Sequence, residues 1–305
     1  MIKLYNNFNI QSIHKKSIIL IGNFDGLHLG HQKLFYLAKR YKKKFSLKVG
    51  VLTFEPMPKM YFNREIKNFR ISNKKQKINL LNKFNVDFVI IKKFNKKFSK
   101  IKSIDFIKKI LSKKLNARYI FVSNNFRFGN KREGDVRQLI KYEHQCNYKI
   151  VKPKPLLIKK KVVSSTLIRN YLQKGKLDKI NKLLNREWSI EGKVQKGRKL
   201  GKKIGFPTAN IDIKDYVLSC PGVYAVRAKM AKSSKYLKGI ANLGYRPTFN
   251  GKKILLEVHL FNFSGNLYNK YLTVEFLRFI RKEKKFKNID QLKKQIKADL
   301  LIAKK

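Results

Sequence analysis

Residues 17–24, "SIILIGNF", form an apolar run that predicts a buried strand, and Leu34, Leu37 and Ala38 carry helical spacing through 29–44. The alternation then repeats. "SLKVGVLTFE" reads as a strand, 74–84 as a helix, "DFVIIKKF" as a strand and 103–115 as a helix. "ARYIFVS" is the next strand, 133–144 the next helix and "YKIVKPKPLLI" a further extended segment. Strand and helix alternating over short connections predict an α/β domain, a parallel sheet with helices on both faces. A helix from about Ser165 to Leu184, broken near Gly175, closes this half.

From Trp188 the pattern changes. "WSIEGKVQKG", "GVYAVRAKM", "KGIANLGY", "ILLEVHLF" and "LTVEFLRFI" are short strands punctuated by Gly, Pro and Asn, which predict a small antiparallel barrel or sandwich. The chain ends in an amphipathic helix with Ile289, Leu292, Ile296 and Leu300 on one face. The domain boundary falls near 185–188, giving domains 1–185 and 186–305. No internal repeat or low-complexity linker interrupts them.

Composition narrows the class. With 305 residues and 43% hydrophobic content, the chain can bury two ordinary cores. No apolar run reaches membrane-spanning length, the N-terminus lacks a signal-peptide pattern, and Cys146 and Cys220 are too few for a disulfide framework. A cytoplasmic protein is expected. The balance of 73 Lys+Arg against 18 Asp+Glu, net +55, raises nucleic-acid binding as a function. Lysines spread over the whole chain, without a nucleic-acid-binding module, favour a bias toward A/T-rich codons instead.

The strongest local signal in the first half is "IGNFDGLHLGHQKLF", 21–35. A strand, a glycine-rich turn and a helix start deliver backbone N–H groups and a positive dipole end to one point, which suits phosphate. His28 and His31, at i and i+3, face one ligand from the first helical turn and can donate hydrogen bonds to phosphate oxygens as charge develops. Gly30 lets a nucleotide approach the backbone. A pair of satisfied surface histidines is the plainer alternative.

"GNFDGLHLGH" resembles the HxGH signature of the nucleotidyltransferase superfamily, which leaves pantetheine phosphate, nicotinate mononucleotide, glycerol phosphate and FMN open as substrates. "LTFEPMPKMYF" (52–62), "SNNFRFGNKREGD" (123–135) and "VSSTLIRNYLQKGKL" (163–177) follow in order near strand C-termini, where open α/β sheets bind ligands. With them the chain resembles the bacterial bifunctional riboflavin kinase/FMN adenylyltransferase (FAD synthetase) family. That resemblance implies a Rossmann-like nucleotidyltransferase domain, with His28 and His31 catalytic. It implies nucleotide contacts at Gly22, Phe24, Asp25, Gly30, Asn125, Ser164, Ser165, Thr166 and Arg169. Hydroxyls and a guanidinium at a helix start are good phosphate ligands. Phe54, Phe62, Phe126 and Phe128 are candidates for stacking on a flavin or adenine ring, though each alone also fits a core aromatic. Met57 departs from the family, which usually has histidine there, and Ser123 stands where glycine is common.

In the second half, "GRKLGKKIGFPTANI" (197–211) reads as a glycine-rich loop able to wrap phosphates through Gly197, Gly201 and Gly205. Pro207, Thr208 and Asn210 follow. A hydroxyl and an amide oxygen suit Mg²⁺ bridging ATP phosphates, while the four residues 207–210 alone also fit a proline turn. "CPGVYAVRA", "GIANLGYRPTFNG", "LEVHLFNFSGNLYNKYLTVEFLRFIRKEKKF" and the last helix resemble the riboflavin kinase domain, a small antiparallel β-barrel. By that resemblance Thr208 and Asn210 bind Mg·ATP, Glu257 is the base that deprotonates the riboflavin 5′-hydroxyl, and Arg281 and Glu283 match an ion-pair segment whose role is structural or related to the flavin loop, with Arg281 a candidate flavin contact. Lys202 stands where arginine is common and Asn269 where glycine is.

The expected function is flavin cofactor synthesis: riboflavin to FMN, then FMN to FAD, with ATP as co-substrate, Mg²⁺ as cofactor and pyrophosphate released. The alternatives are a monofunctional riboflavin kinase with a decayed first domain, or a polyanion-binding protein on the enzyme scaffold. No specific nucleic acid or membrane partner is expected. Codon bias as the source of the charge predicts weak, sequence-indifferent nucleic-acid binding that falls steeply with salt in a titration. Tight binding to one sequence at physiological salt contradicts it.

Overall fold

The computed structural model describes residues 2–66, 68–197, 201, 204–213, 215–231, 233–248 and 251–304. They form two compact units, one of Met1–Ile66 and Lys74–Val163, the other of Lys67–Asn73 and Ser164–Lys305.

The first unit is built on a sheet of β1 (Lys3–Tyr5), β2 (Ile18–Ile21), β3 (Val49–Glu55), β4 (Phe88–Lys93), β5 (Tyr119–Phe121) and a last strand at Lys149–Val151. Its order is β1-β4-β3-β2-β5 and then Lys149–Val151, with every pair parallel. Successive strand residues face opposite sides, so one short apolar strand feeds two cores. Ile18 and Leu20 join Val51 and Val89 under α1 (Leu29–Phe45), which contributes Leu34, Phe35 and Ala38. Ile19 and Ile21 join Leu52, Phe88 and Ile120 on the other side. That face is covered by Phe106, Ile107, Ile110 and Leu111, then by Val136 and Leu139.

Two expected helices differ in detail. Residues 103–115 begin as a turn of α-helix at Ser103–Asp105 and continue as a π-helix over Phe106–Lys114, with Leu115 N–H donating to the Ile110 carbonyl. The helix expected over 133–144 is shorter, Val136–Lys141. Its N-cap is Asp135, which accepts from Gln138 N–H at 3.0 Å and follows a small hairpin of Arg127–Phe128 with Gly134–Asp135. That backbone donor holds the Asp135 carboxyl below the usual aspartate range.

In the second unit, helices Ser165–Gln173 and Leu177–Leu184 flank Gly175 at φ +64°, so the expected break is where the glycine stands. A closed antiparallel barrel follows. Its strands are Trp188–Gln195, Ala209–Asp212, Gly222–Met230, Leu237–Thr248, Gly251–Leu260 and Tyr271–Lys282. Ala209–Asp212 was not among the expected strands; with Ile211 fully buried, it completes the closure. Asn269, where glycine is common, adopts φ +63°, a region asparagine tolerates better than most residues. The terminal helix spans Ile289–Lys304, but its expected apolar face is corrected at one end: Ile289 is 59% exposed, and the one residue of the helix classed as buried is Asp299.

Trp188 lies 1% exposed against Phe276, ring centroids 4.7 Å apart, and donates its indole N–H to the Ile71 carbonyl at 3.0 Å. Phe276→Ala is expected to destabilise this unit by about 3–5 kcal/mol. Urea unfolding followed by fluorescence of the single tryptophan reads the shift.

Candidate active sites

In the first unit, β2 ends at Ile21 and Gly22 N–H donates to the Leu52 carbonyl at 3.1 Å. The turn beyond it is forced: Phe24, Gly26 and Leu27 all have positive φ, at 47°, 78° and 38°. Phe24 and Leu27 sink into the core beneath α1, which holds a backbone that non-glycine residues otherwise avoid. Asp25 is 2% exposed between them. His28 is the N-cap of α1 rather than a residue of its first turn, and its Nδ1 accepts from His31 N–H at 3.3 Å. A neutral His28 therefore carries its proton on Nε2. The two imidazoles stack, centroids 3.7 Å apart, and Phe24 meets His31 edge-on at 5.2 Å. At Gly30 the close approach comes from the protein: a Cβ would stand 2.9 Å from the Val163 carbonyl oxygen and 3.1 Å from the His28 ring.

The aromatic candidates separate. Phe54 and Phe128 belong to the core. Phe126 is half-buried and stacks on Phe128 at 5.5 Å, and Phe62 is 67% exposed. Asn125 is exposed, its Oδ1 accepting from the Ser123 hydroxyl. Met57 is buried at the N-cap of the short helix Pro58–Phe62 and caps nothing with its side chain.

In the second unit, Ser164 caps the helix Ser165–Gln173 by accepting from Leu167 N–H at 3.2 Å. Ser165 is half-buried and Thr166 exposed in the first turn. Arg169 lies over the Phe69 ring at 3.6 Å and donates Nε–H to the Phe69 carbonyl.

The barrel assembles the other site through strand register. Asn210 pairs with Glu257, Glu257 with Asn242, Asn242 with Val223, and Val223 with Arg281. Directly paired residues share a face, so these five form one belt across the wall. Their neighbours Ile211, Leu256, Leu243 and Tyr224 fill the interior, at 2% exposure or less. The belt faces a cavity of about 370 Å³, within the range of small-molecule sites. Gly197, Gly201 and Thr208 line it on one side, and Phe286, Leu292, Ile296 and Asp299 on another.

Local contacts set these side chains. A Cβ at Gly197 would fall on the Asn210 carboxamide. His259, two residues beyond Glu257 on the same strand face, has its Nδ1 2.8 Å from the Pro207 carbonyl oxygen and holds the loop before Thr208. Asn210 is 7% exposed, and its Oδ1 is buried with no hydrogen-bond partner among the described residues. Burial pushes the Glu283 carboxyl above the usual range; Glu257 adds to the rise and a hydrogen bond from Asn242 opposes it. Gly205 has φ +90° with open space about it. Lys202 lies outside the described residues. Sequence reasoning missed His259, Asn242 and Asp299, although "LEVHLF" put His259 in phase with Glu257.

A doubly wound sheet with a histidine-capped helix, joined in one chain to a barrel with a carboxylate–amide cavity, defines a nucleotide-dependent transferase with two sites. The family model described as FAD synthetase matches residues 10–167, and that described as riboflavin kinase matches residues 184–305. The chain belongs to the bifunctional riboflavin kinase/FMN adenylyltransferase family. It is 40% identical over 300 residues to the protein of that name from Buchnera aphidicola subsp. Schizaphis graminum, covering 97% of this chain and 96% of the relative. Those from Haemophilus influenzae and Escherichia coli K12 are 38% and 35% identical, each over 301 residues and more than nine-tenths of both chains. A crystal structure titled as a macrolide-efflux protein from Streptococcus pneumoniae shares the fold, with TM-score 0.85 and 27% identity over 99% of this chain and 98% of that one. Among the described residues here, no helix is long and apolar enough to cross a membrane.

The close fit at Gly197 carries its own test. Gly197→Ala displaces Asn210, and a misplacement of about 1 Å at such a site costs roughly 10²-fold. FMN formation should fall by about that factor while FAD formation from supplied FMN is unchanged.

Proposed function

We propose that this chain makes FMN from riboflavin and ATP on the barrel, releasing ADP, and FAD from FMN and ATP in the nucleotidyltransferase domain, releasing pyrophosphate. Domain assignments of 1–185 for adenylyl transfer and 186–305 for the kinase follow the change of pattern near Trp188. The observation that carries the kinase half is the register pair Asn210–Glu257, which sets a buried, uncommitted amide oxygen beside a carboxylate in one cavity.

Glu257 accepts the proton of the riboflavin 5′-hydroxyl as that oxygen attacks the γ-phosphorus of ATP and ADP leaves. Mg²⁺ fits the donors present, since the Asn210 Oδ1 and the Thr208 hydroxyl are hard oxygen ligands. When bound, it neutralises charge on the ATP phosphates. The backbone around Gly197, Gly201, Gly205 and Pro207 wraps those phosphates. The flavin ring rests on the apolar part of the cavity, with Arg281 beside it.

For adenylyl transfer, a phosphate oxygen of FMN attacks the α-phosphorus of ATP and pyrophosphate departs. His28, with its proton on Nε2, and His31 donate hydrogen bonds to the charge that builds up there. Gly22, Phe24, Asp25 and Gly30 shape the turn that presents them, and Asn125 adds a nucleotide contact. Ser164, Ser165, Thr166 and Arg169 are the triphosphate ligands. Exposed Phe62 and half-buried Phe126 are the candidates for flavin stacking; Phe54 and Phe128 support it from the core. We assign no specific nucleic-acid partner to the chain. Free Cys146 and Cys220 fit a reducing, cytoplasmic setting.

Met57, buried where the family has histidine, keeps a kinase-only reading in play. Product analysis with riboflavin, ATP and Mg²⁺ decides it: FMN followed by FAD is expected, and FMN alone overturns the bifunctional reading. Glu257→Gln should slow FMN formation by about 10²–10⁴-fold with little change in substrate affinity. His31→Ala should abolish FAD formation and spare FMN formation, which chromatography of both products resolves.

A further inference from the structure

The terminal helix Ile289–Lys304 lines the kinase cavity, yet none of its apolar side chains is fully buried. Leu292, Ile296 and Leu300 are only half-buried, and Ile289, Leu301 and Ile302 are exposed. The buried residue is an aspartate. Asp299 accepts Nε–H of Arg281 at 2.9 and 3.0 Å and its Nη2–H at 2.7 Å, and Gln295, one turn earlier, donates to the same carboxylate at 2.9 Å. Its side chain is 3% exposed and that of Arg281 is 22% exposed. A two-point guanidinium–carboxylate fork fixes direction as well as distance.

The other end of Arg281 belongs to the belt that carries Asn210 and Glu257. Its guanidinium also lies 5.8 Å from the ring centroid of Phe286, a cavity residue. One arginine thus links the barrel wall bearing the base to Phe286 and to the helix bearing Leu292 and Ile296. A buried aspartate on a helix with so little buried apolar surface makes the docking depend on this pair.

We propose that Asp299 is a positioning residue for the kinase: through Arg281 it holds the terminal helix at the distance that closes the apolar wall on the flavin ring. It touches no reacting atom. The inference rests on the reading of this cavity as the riboflavin site.

The test is Asp299→Asn in the full chain, which keeps shape and one acceptor but removes the charge. Riboflavin KM for FMN formation should rise about tenfold or more, with kcat at saturating riboflavin and the KM for ATP each within about threefold of wild type. Asp299→Glu, which restores the charge, should recover part of the loss. An unchanged riboflavin KM, or a fall in kcat with no change in KM, overturns the proposal. Fluorescence of Trp188, buried in the barrel, reports whether the variant is folded there. Should the barrel not fold, riboflavin KM is read on Arg281→Lys instead, which keeps the charge and gives up the fork; an unchanged KM there overturns the proposal. Wild-type protein that makes no FMN would defeat the kinase reading itself, a separate outcome.

Discussion

Strand register in the barrel is the constraint on which the proposed kinase site depends. Because Asn210 stands opposite Glu257 and Glu257 opposite Asn242, three polar side chains reach one face from three strands. A slip of a single residue would turn Glu257 into the barrel and bring Leu256 out. The fully buried Ile211 and Leu256 make that slip unfavourable, so ordinary apolar packing holds these polar groups in place. Closure adds to this, since each of the six strands has neighbours on both sides and none is left as a free edge.

The nucleotidyltransferase domain reaches comparable precision by other means. Its two histidines are set by a turn of positive-φ residues whose Phe24 and Leu27 are buried in the core. His28 then serves as helix cap and stacking partner at once, which orients its ring. Backbone strain there is sustained by the apolar contacts beneath it. In the barrel, the corresponding work is done by pairing between strands. The two sites draw on different kinds of order, one local and one long-range.

That difference decides what could be read in the sequence. Local order was legible: the strand–turn–helix at Ile21–Phe35, the break at Gly175 and the strands from Trp188 onward all follow short-range patterns. The strand Ala209–Asp212 was not, because four residues after a glycine-rich loop give too little alternation to stand out. Asn242 belongs to the site only through its pairing with Glu257, which no local pattern shows. The π-helical bonding of Phe106–Lys114 buries the apolar set that an α-helix would have buried, so the pattern alone could not separate them. Asp299 was legible in principle, an acid three positions after Ile296 on the apolar side of an amphipathic helix. Its meaning needed Arg281, which lies on a strand 18 positions earlier.

The central claim is that two phosphate-transfer reactions with different points of attack run on one chain. Parallel incubations with riboflavin, Mg²⁺ and ATP labelled at either the γ- or the α-phosphorus test it most directly. FMN should carry only the γ-label, and FAD should carry both, the γ-label in its flavin phosphate and the α-label in its adenylyl half. FAD lacking the α-label, FMN containing it, or γ-labelled FMN that never proceeds to FAD would contradict the account.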